Sequence, residues 1–281
     1  MASLKAVGQT AGAWAALTIA QIVAGVLVPI QATSSPKMVV WLLASNLVVA
    51  VVVTGIAMNA RERGWRLALL LSGIPFGIAM LNHVEGMVFL GHSDIDWKGI
   101  VLSCVLVWAL LIPVWKLLFG RRLAAIQVHE SPPMDRSPWG KVWRFALSDV
   151  AYVLLYLIAG TIIFPFVQEY YSTQTVPPLG MIIVLQMALR GPIFVGICLV
   201  LIRLLGLSRA NGAVAVGLAF TLLSGVAPLI FPNPYFPDAV RWVHLCEVTG
   251  SNFIFGALVG WFWGKPNAVT ADPPAGCWSR V

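Results

Sequence analysis

The 281-residue chain is 59% hydrophobic and 10% charged, with a formal net charge of +7 and a mean hydropathy of +0.87. Soluble domains carry about 25% charged residues, so this composition excludes an ordinary soluble enzyme. The basic residues fall between apolar stretches instead of forming one patch, which argues for membrane orientation and against nucleic acid as a partner.

A membrane-crossing helix needs about 20 apolar residues in a row. Eight segments qualify, at about 12–31, 38–58, 67–91, 99–118, 147–168, 180–202, 212–231 and 241–263. The expected fold is an all-α polytopic membrane protein of eight transmembrane helices, with the lipid bilayer as its surroundings. Lys5 precedes the first apolar run as it would in a signal peptide. That run exceeds the roughly 7–15 residues of a signal core and no small-x-small cleavage site follows, so it reads as an uncleaved span.

Charge assigns the two sides. Lys5, Arg61, Arg63, Arg66, Lys116, Arg121, Arg122, Arg136, Lys141, Arg144, Arg203, Arg209, Lys265 and Arg280 all fall on one side, fourteen in total. Lys37, Lys98 and Arg241 fall on the other. The positive-inside rule then predicts both termini in the cytoplasm, with the chain in the plasma (inner) membrane.

The polar connection 119–146, with Ser131-Pro132-Pro133 and Ser137-Pro138, divides the chain. Residues 1–118 form a first four-helix half, 119–146 a cytoplasmic linker, 147–264 a second half and 265–281 a cytoplasmic tail. The halves share short similarities: VAGVLVPIQ at 23–31 with IAGTIIFPFVQ at 158–168, LALLLSG at 67–73 with LAFTLLSG at 218–225, and HVEG at 83–86 with HLCEVTG at 244–250. Two four-helix repeats would be related by an axis along the membrane normal. Chance likeness between apolar segments is the competing explanation.

Arg190 stands in the middle of the apolar run 180–202, with Gly191 and Pro192 behind it. A charge at the bilayer centre costs about 2.5–3.5 kcal/mol on insertion scales, so it needs a protected partner or cavity. Pro192 lacks a backbone donor and disturbs the carbonyl of Ala188, which predicts a kink beside the charge. Other polar residues within spans are Asn46 in the second, Asn82, His83 and Glu85 closing the third, and Gln168 and Glu169 closing the fifth. Gln186 lies in the sixth, and the eighth opens with His244 and Glu247, followed by Ser251 and Asn252.

At about 1.5 Å per residue, Glu85, Glu247 and Arg190 fall in the outer half of the bilayer. His244, Glu247 and Ser251 share one helix face by their three- and four-residue spacing, as do Gln186 with Arg190 and Asn82 with Glu85. His83 points away from Glu85 unless the helix unwinds near Gly86. Gly256, Gly260 and Gly264 form a small-residue stripe for close helix contact, and Asn252 belongs to that face as an interhelical hydrogen-bonding group. Asp149, after Ser148, reads as an N-cap of the fifth span, and Glu169 beside Tyr170 and Tyr171 as an interfacial group.

The expected solute- or ion-binding set is Arg190, Gln186, Glu85, Glu247, His244 and Asn82. It suits a secondary transporter or permease for a small solute, with Arg190 favouring an anionic one and no cofactor required. A membrane-embedded enzyme is the alternative, with a metal on His83, His244, Glu247 and Glu85 or haem between His83 and His244. It lacks HExxH, paired Glu-x-x-His and GxSxG motifs. A non-catalytic assembly protein is a third reading. Cys104, Cys198, Cys246 and Cys277 have no paired spacing and read as small hydrophobes. Homo-oligomerisation is left open by the sequence.

Overall fold

The structure, a computed structural model, describes residues 2–28, 36–90, 96–120, 137–232 and 236–265. They form α1 (Ala2–Leu27), α2 (Pro36–Asn59), α3 (Gly64–Leu90), α4 (Trp97–Phe119) and α5 (Pro138–Ser172). Then come α6 (Leu179–Leu205), α7 (Arg209–Ile230) and α8 (Asp238–Trp263). All eight are long and apolar enough to cross a membrane. Among the described residues there is no strand, only an isolated bridge between Ser208 and Lys265. Arg121, Arg122, Arg136, Arg280 and Cys277, with most of the expected linker and tail, lie outside the described residues.

Helix ends depart from the apolar runs where local backbone chemistry decides. Ser137 caps α5 by accepting from the Gly140 N–H at 3.1 Å, with Pro138 in the first turn. Such a start needs no apolar residues, so α5 begins nine residues before the apolar run at 147 and extends over 35 residues. Asp149 is consequently not a cap: it lies well inside α5. At the other extreme α1 stops at Leu27, short of the expected 31. Pro29 follows in the sequence, and a residue preceding proline is disfavoured in helix.

Ahead of Pro192, where a kink was expected, the helix has a π turn over Gln186–Arg190, closed by the Gly191 N–H on the Gln186 carbonyl. A second π turn over Leu222–Val226 in α7 is closed by Ala227 on Leu222, and Pro228 follows. In both helices the proline stands two residues past the widened turn. The extra residue absorbs the clash and missing donor that proline brings without breaking the helix.

Side-chain and backbone contacts show which helix ends lie together. At one end Gln9 of α1 reaches the Leu118 carbonyl of α4, and Arg61 donates to the Gly206 carbonyl after α6. Arg144 of α5 meets the Phe262 carbonyl of α8 there. At the opposite end Trp41 packs edge-on against Trp242, and Ser45 bonds the Ala227 carbonyl. The helices therefore alternate in direction, and the first group of basic residues that the structure describes shares one end. Arg241, an expected opposite-end residue, is 1% exposed and donates to the Leu229 and Ile230 carbonyls at 2.7 and 2.9 Å. Paired also with Asp238, it satisfies the carbonyls that the end of α7 leaves open.

Among the first four helices α1 packs on α2 and α4, and α3 on α4; among the last four, α8 packs on α5 and α7. The first four helices meet the last four where α2 and α3 face α6 and α7. The glycine stripe works as expected: a Cβ at Gly256 would lie 3.0 Å from the Gly217 Cα, so α7 and α8 touch through backbone. Asn252 donates to Ser224 of α7 at 2.8 Å, the interhelical role foreseen for it. Of the short repeats, HVEG closes α3 whereas HLCEVTG opens α8, so those two segments do not occupy corresponding helices. Buried beneath the polar groups described next, Tyr152, Phe194, Phe220 and Phe255 stack edge to face.

Candidate functional site

Four helices, α3, α5, α6 and α8, direct polar side chains toward one another. The π turn sets Gln186 and Arg190 of α6 inward, with Gln186 1% and Arg190 8% exposed. Arg190 pairs through Nη1 with the Glu85 carboxylate of α3, and its Nη2 donates to Asn82 Oδ1 at 3.0 Å. Asn82 and Glu85 lie one turn apart, so one face of α3 holds both ends of the guanidinium. Gln186 donates to the other Glu85 oxygen at 3.1 Å and accepts from the Tyr152 hydroxyl of α5 at 3.3 Å. The Arg190 Nε is buried without a partner, and its guanidinium lies 5.0 Å over the Phe194 ring.

A second group stands beside the first on α8 and α5. His244 Nδ1 and Glu247 Oε2 are 2.6 Å apart, and His244 Nε2 lies 2.9 Å from the Tyr171 hydroxyl. The three-residue spacing of His244 and Glu247 makes this contact possible on one helical turn. Glu247 Oε1 lies 3.8 Å from where a Gly160 side chain would begin, so α5 is cut away beside the carboxylate. Glu247 is close enough to interact electrostatically with Arg190, Tyr156 and Tyr171. The two groups form a polar cluster joined electrostatically, through Glu247 and Arg190.

All six residues expected to bind solute or ion lie in this cluster: Asn82, Glu85, Gln186, Arg190, His244 and Glu247. Ser251 turns away from it and donates to its own helix at the Glu247 carbonyl. Asn46 braces α2 to α1 through Thr18 and Gln21. Gln168 and Glu169 are exposed, in keeping with an interfacial position. α3 stays helical through Gly86, so the unwinding that would swing His83 to the Glu85 face does not occur.

Among the described residues no three His, Cys, Asp or Glu side chains converge as a metal site. His83, His244, Glu247 and Glu85 therefore do not form one ligand set. Both ring nitrogens of His244 are hydrogen-bonded, so an axial haem bond there would displace Tyr171 or Glu247.

Tyr152 and Tyr156 of α5 were not anticipated. Tyr152, Tyr156 and Gly160 recur every four residues and so share a face, but tyrosine in an apolar run looks like core or aromatic belt. Asp149, one turn before Tyr152, also faces inward: a side chain at Gly191 would overlap its carboxylate. An open groove of about 480 Å³ lined by Lys141, Phe145, Leu199 and Trp263 lies at the far end of α8 from these groups and is almost wholly apolar. No protein-family model, curated protein or solved structure matches this chain.

Proposed function

We propose that the chain is a multi-pass membrane protein that transports a small solute through the polar cluster between its halves. The insertion is supported by its outer surface, where Val26, Leu117 and Phe166 are each 75% exposed. So much bare apolar surface has no stable arrangement in water. The basic bias of one helix end supports a cytoplasmic location for both termini in the plasma membrane.

The observation that carries the transport reading is the Arg190–Glu85 pair. Its side chains are 10% and 22% exposed, it joins the two halves, and it stands beside a π turn. Widened turns recur at functional sites because they give a helix two ways to pair its backbone. Arg190 keeps an unspent donor at Nε, and a solute bearing a carboxylate or phosphate could take that donor and compete with Glu85 for the guanidinium. Breaking the pair would release α3 from α6, which couples solute binding to movement between the halves. The rival reading is a static brace, favoured by the simultaneous engagement of Nη1 and Nη2.

Reconstitution into liposomes and uptake of isotopically labelled carboxylates, phosphate and amino acids separates them. Transport predicts uptake of one class, lost in Glu85→Gln and in the double variant Glu85→Gln/Arg190→Met. A double variant that folds and retains full uptake would rule out this role for the pair, and no uptake of any class would sink the reading.

A further inference from the structure

Between Tyr171 and Asp149 the titratable groups are not scattered but arranged in single file. Asp149, Tyr152, Tyr156, Gly160 and Tyr171 fall within roughly 100° of one another around α5, counting about 100° per residue. The stretch is apolar between Gly160 and Tyr171, where Ile163 and Val167 occupy the same face. α8 fills that gap: Glu247 fits against Gly160 and His244 against Tyr171. The order along the file is Tyr171, His244, Glu247, Tyr156, Tyr152, Asp149.

Each neighbouring pair is in contact or in electrostatic range. Tyr171 to His244 is 2.9 Å and His244 to Glu247 is 2.6 Å. Glu247 acts on Tyr156, and Asp149 on Tyr152. The Tyr152 and Tyr156 rings lie 6.4 Å apart, and Gln186 accepts from the Tyr152 hydroxyl. The charged groups facing the file are Arg190 and its partner Glu85 from α6 and α3, while Tyr170 adjoins Tyr171 on α5.

The file also has the right reach. Asp149 and Tyr171 are separated by about 33 Å along α5, at 1.5 Å per residue, against a hydrocarbon core of about 30 Å. Ser148, next to Asp149, accepts from Trp263, the last residue of α8, whereas His244 lies in the second turn of that helix. One Asp149 oxygen is buried with no hydrogen-bond partner, as expected of a group that hands on or receives a proton.

We propose that this file is a proton path along α5 and α8, and that the proton is the ion driving transport, an inference that rests on the transport reading above. A proton arriving at His244 Nε2 from the Tyr171 side releases the Nδ1 proton to Glu247 Oε2. The imidazole is left neutral in its other tautomer, and the carboxylate becomes a carboxylic acid. Onward transfer crosses the wider gaps through bridging waters, which move one proton into each hydroxyl as one leaves it, ending on the Asp149 carboxylate. Gln186 is a positioning residue that holds the Tyr152 hydroxyl, while Arg190 and Glu85 stay outside the file as the solute site.

The test is proton flux into proteoliposomes containing pyranine, driven by a potassium gradient with valinomycin and no added solute. The full chain is expected to acidify the interior severalfold faster than protein-free liposomes. His244→Phe, Glu247→Gln and Asp149→Asn should return the rate to the protein-free level, and Cys246→Ser, an exposed position on α8, should match the unaltered protein. Tyr171→Phe, which removes only a hydroxyl, replaces His244→Phe if that variant elutes as aggregate, and it should slow the flux. Protein-free rates for the unaltered chain, or undiminished flux in Glu247→Gln, overturn the proposal. Solute uptake that ignores a pH gradient sinks this inference and leaves transport standing; proton flux with no solute taken up sinks transport and leaves the proton path.

Discussion

Neutralising Glu85 isolates the electrostatics of the cluster. Glu85→Gln keeps the shape but removes the charge that faces the Arg190 guanidinium, whose side chain is 10% exposed. Two unit charges 4 Å apart at an effective dielectric of 20 attract by about 4 kcal/mol. Removing one member of a buried pair costs about 3–5 kcal/mol, because the survivor remains charged and unsolvated. Glu85 is 22% exposed and Glu247 also attracts Arg190, so the lower end applies. The expected loss is about 3 kcal/mol. The double variant Glu85→Gln/Arg190→Met removes both charges and should recover most of that, leaving a deficit of about 1 kcal/mol from the disrupted Asn82 and Gln186 hydrogen bonds. Equilibrium unfolding in mixed detergent micelles, followed by tryptophan emission, measures both. If the double variant is less stable than Glu85→Gln, the pair is not the source of the cost and the reasoning fails.

Gly256→Val places two methyl groups where α7 backbone lies 3.0 Å from the first added carbon, and it should destabilise by about 1–3 kcal/mol in the same assay. A neutral result would mean that α7 and α8 do not meet there. Arg241→Ala strips the donors from the Leu229 and Ile230 carbonyls and should cost about 3 kcal/mol, an amount typical of lost hydrogen bonds to a buried charge; a loss below half of that would show that other groups cap α7. Pro192→Ala restores a backbone donor and should let the π turn relax toward α-helix, slowing amide hydrogen exchange across Gln186–Arg190. Exchange that stays the same or quickens would show that proline does not hold the turn open.

Residues such as Arg190, Gln186, Glu85 and Glu247 were legible before any coordinates, because a polar group in an apolar run carries a cost that depends on that residue alone. Eight spans, the glycine stripe of α8 and the bonding role of Asn252 were legible for a related reason, since each rests on spacing along one helix. Pairing was not. Arg190 had Glu85 and Glu247 both within the reach of a long side chain, and the choice of Glu85 depends on the rotation of α3 against α6. Asp149 looked like a cap until Ser137 proved to start α5 well before the apolar residues do. Tyr152 and Tyr156 carried no signal of their own, because a tyrosine's burial reveals nothing until a partner for its hydroxyl is found. Single-residue costs and periodicities are written along the chain, whereas the tilt, rotation and meeting of helices are many-body outcomes of packing, and those alone brought a set of conspicuous residues into a polar cluster.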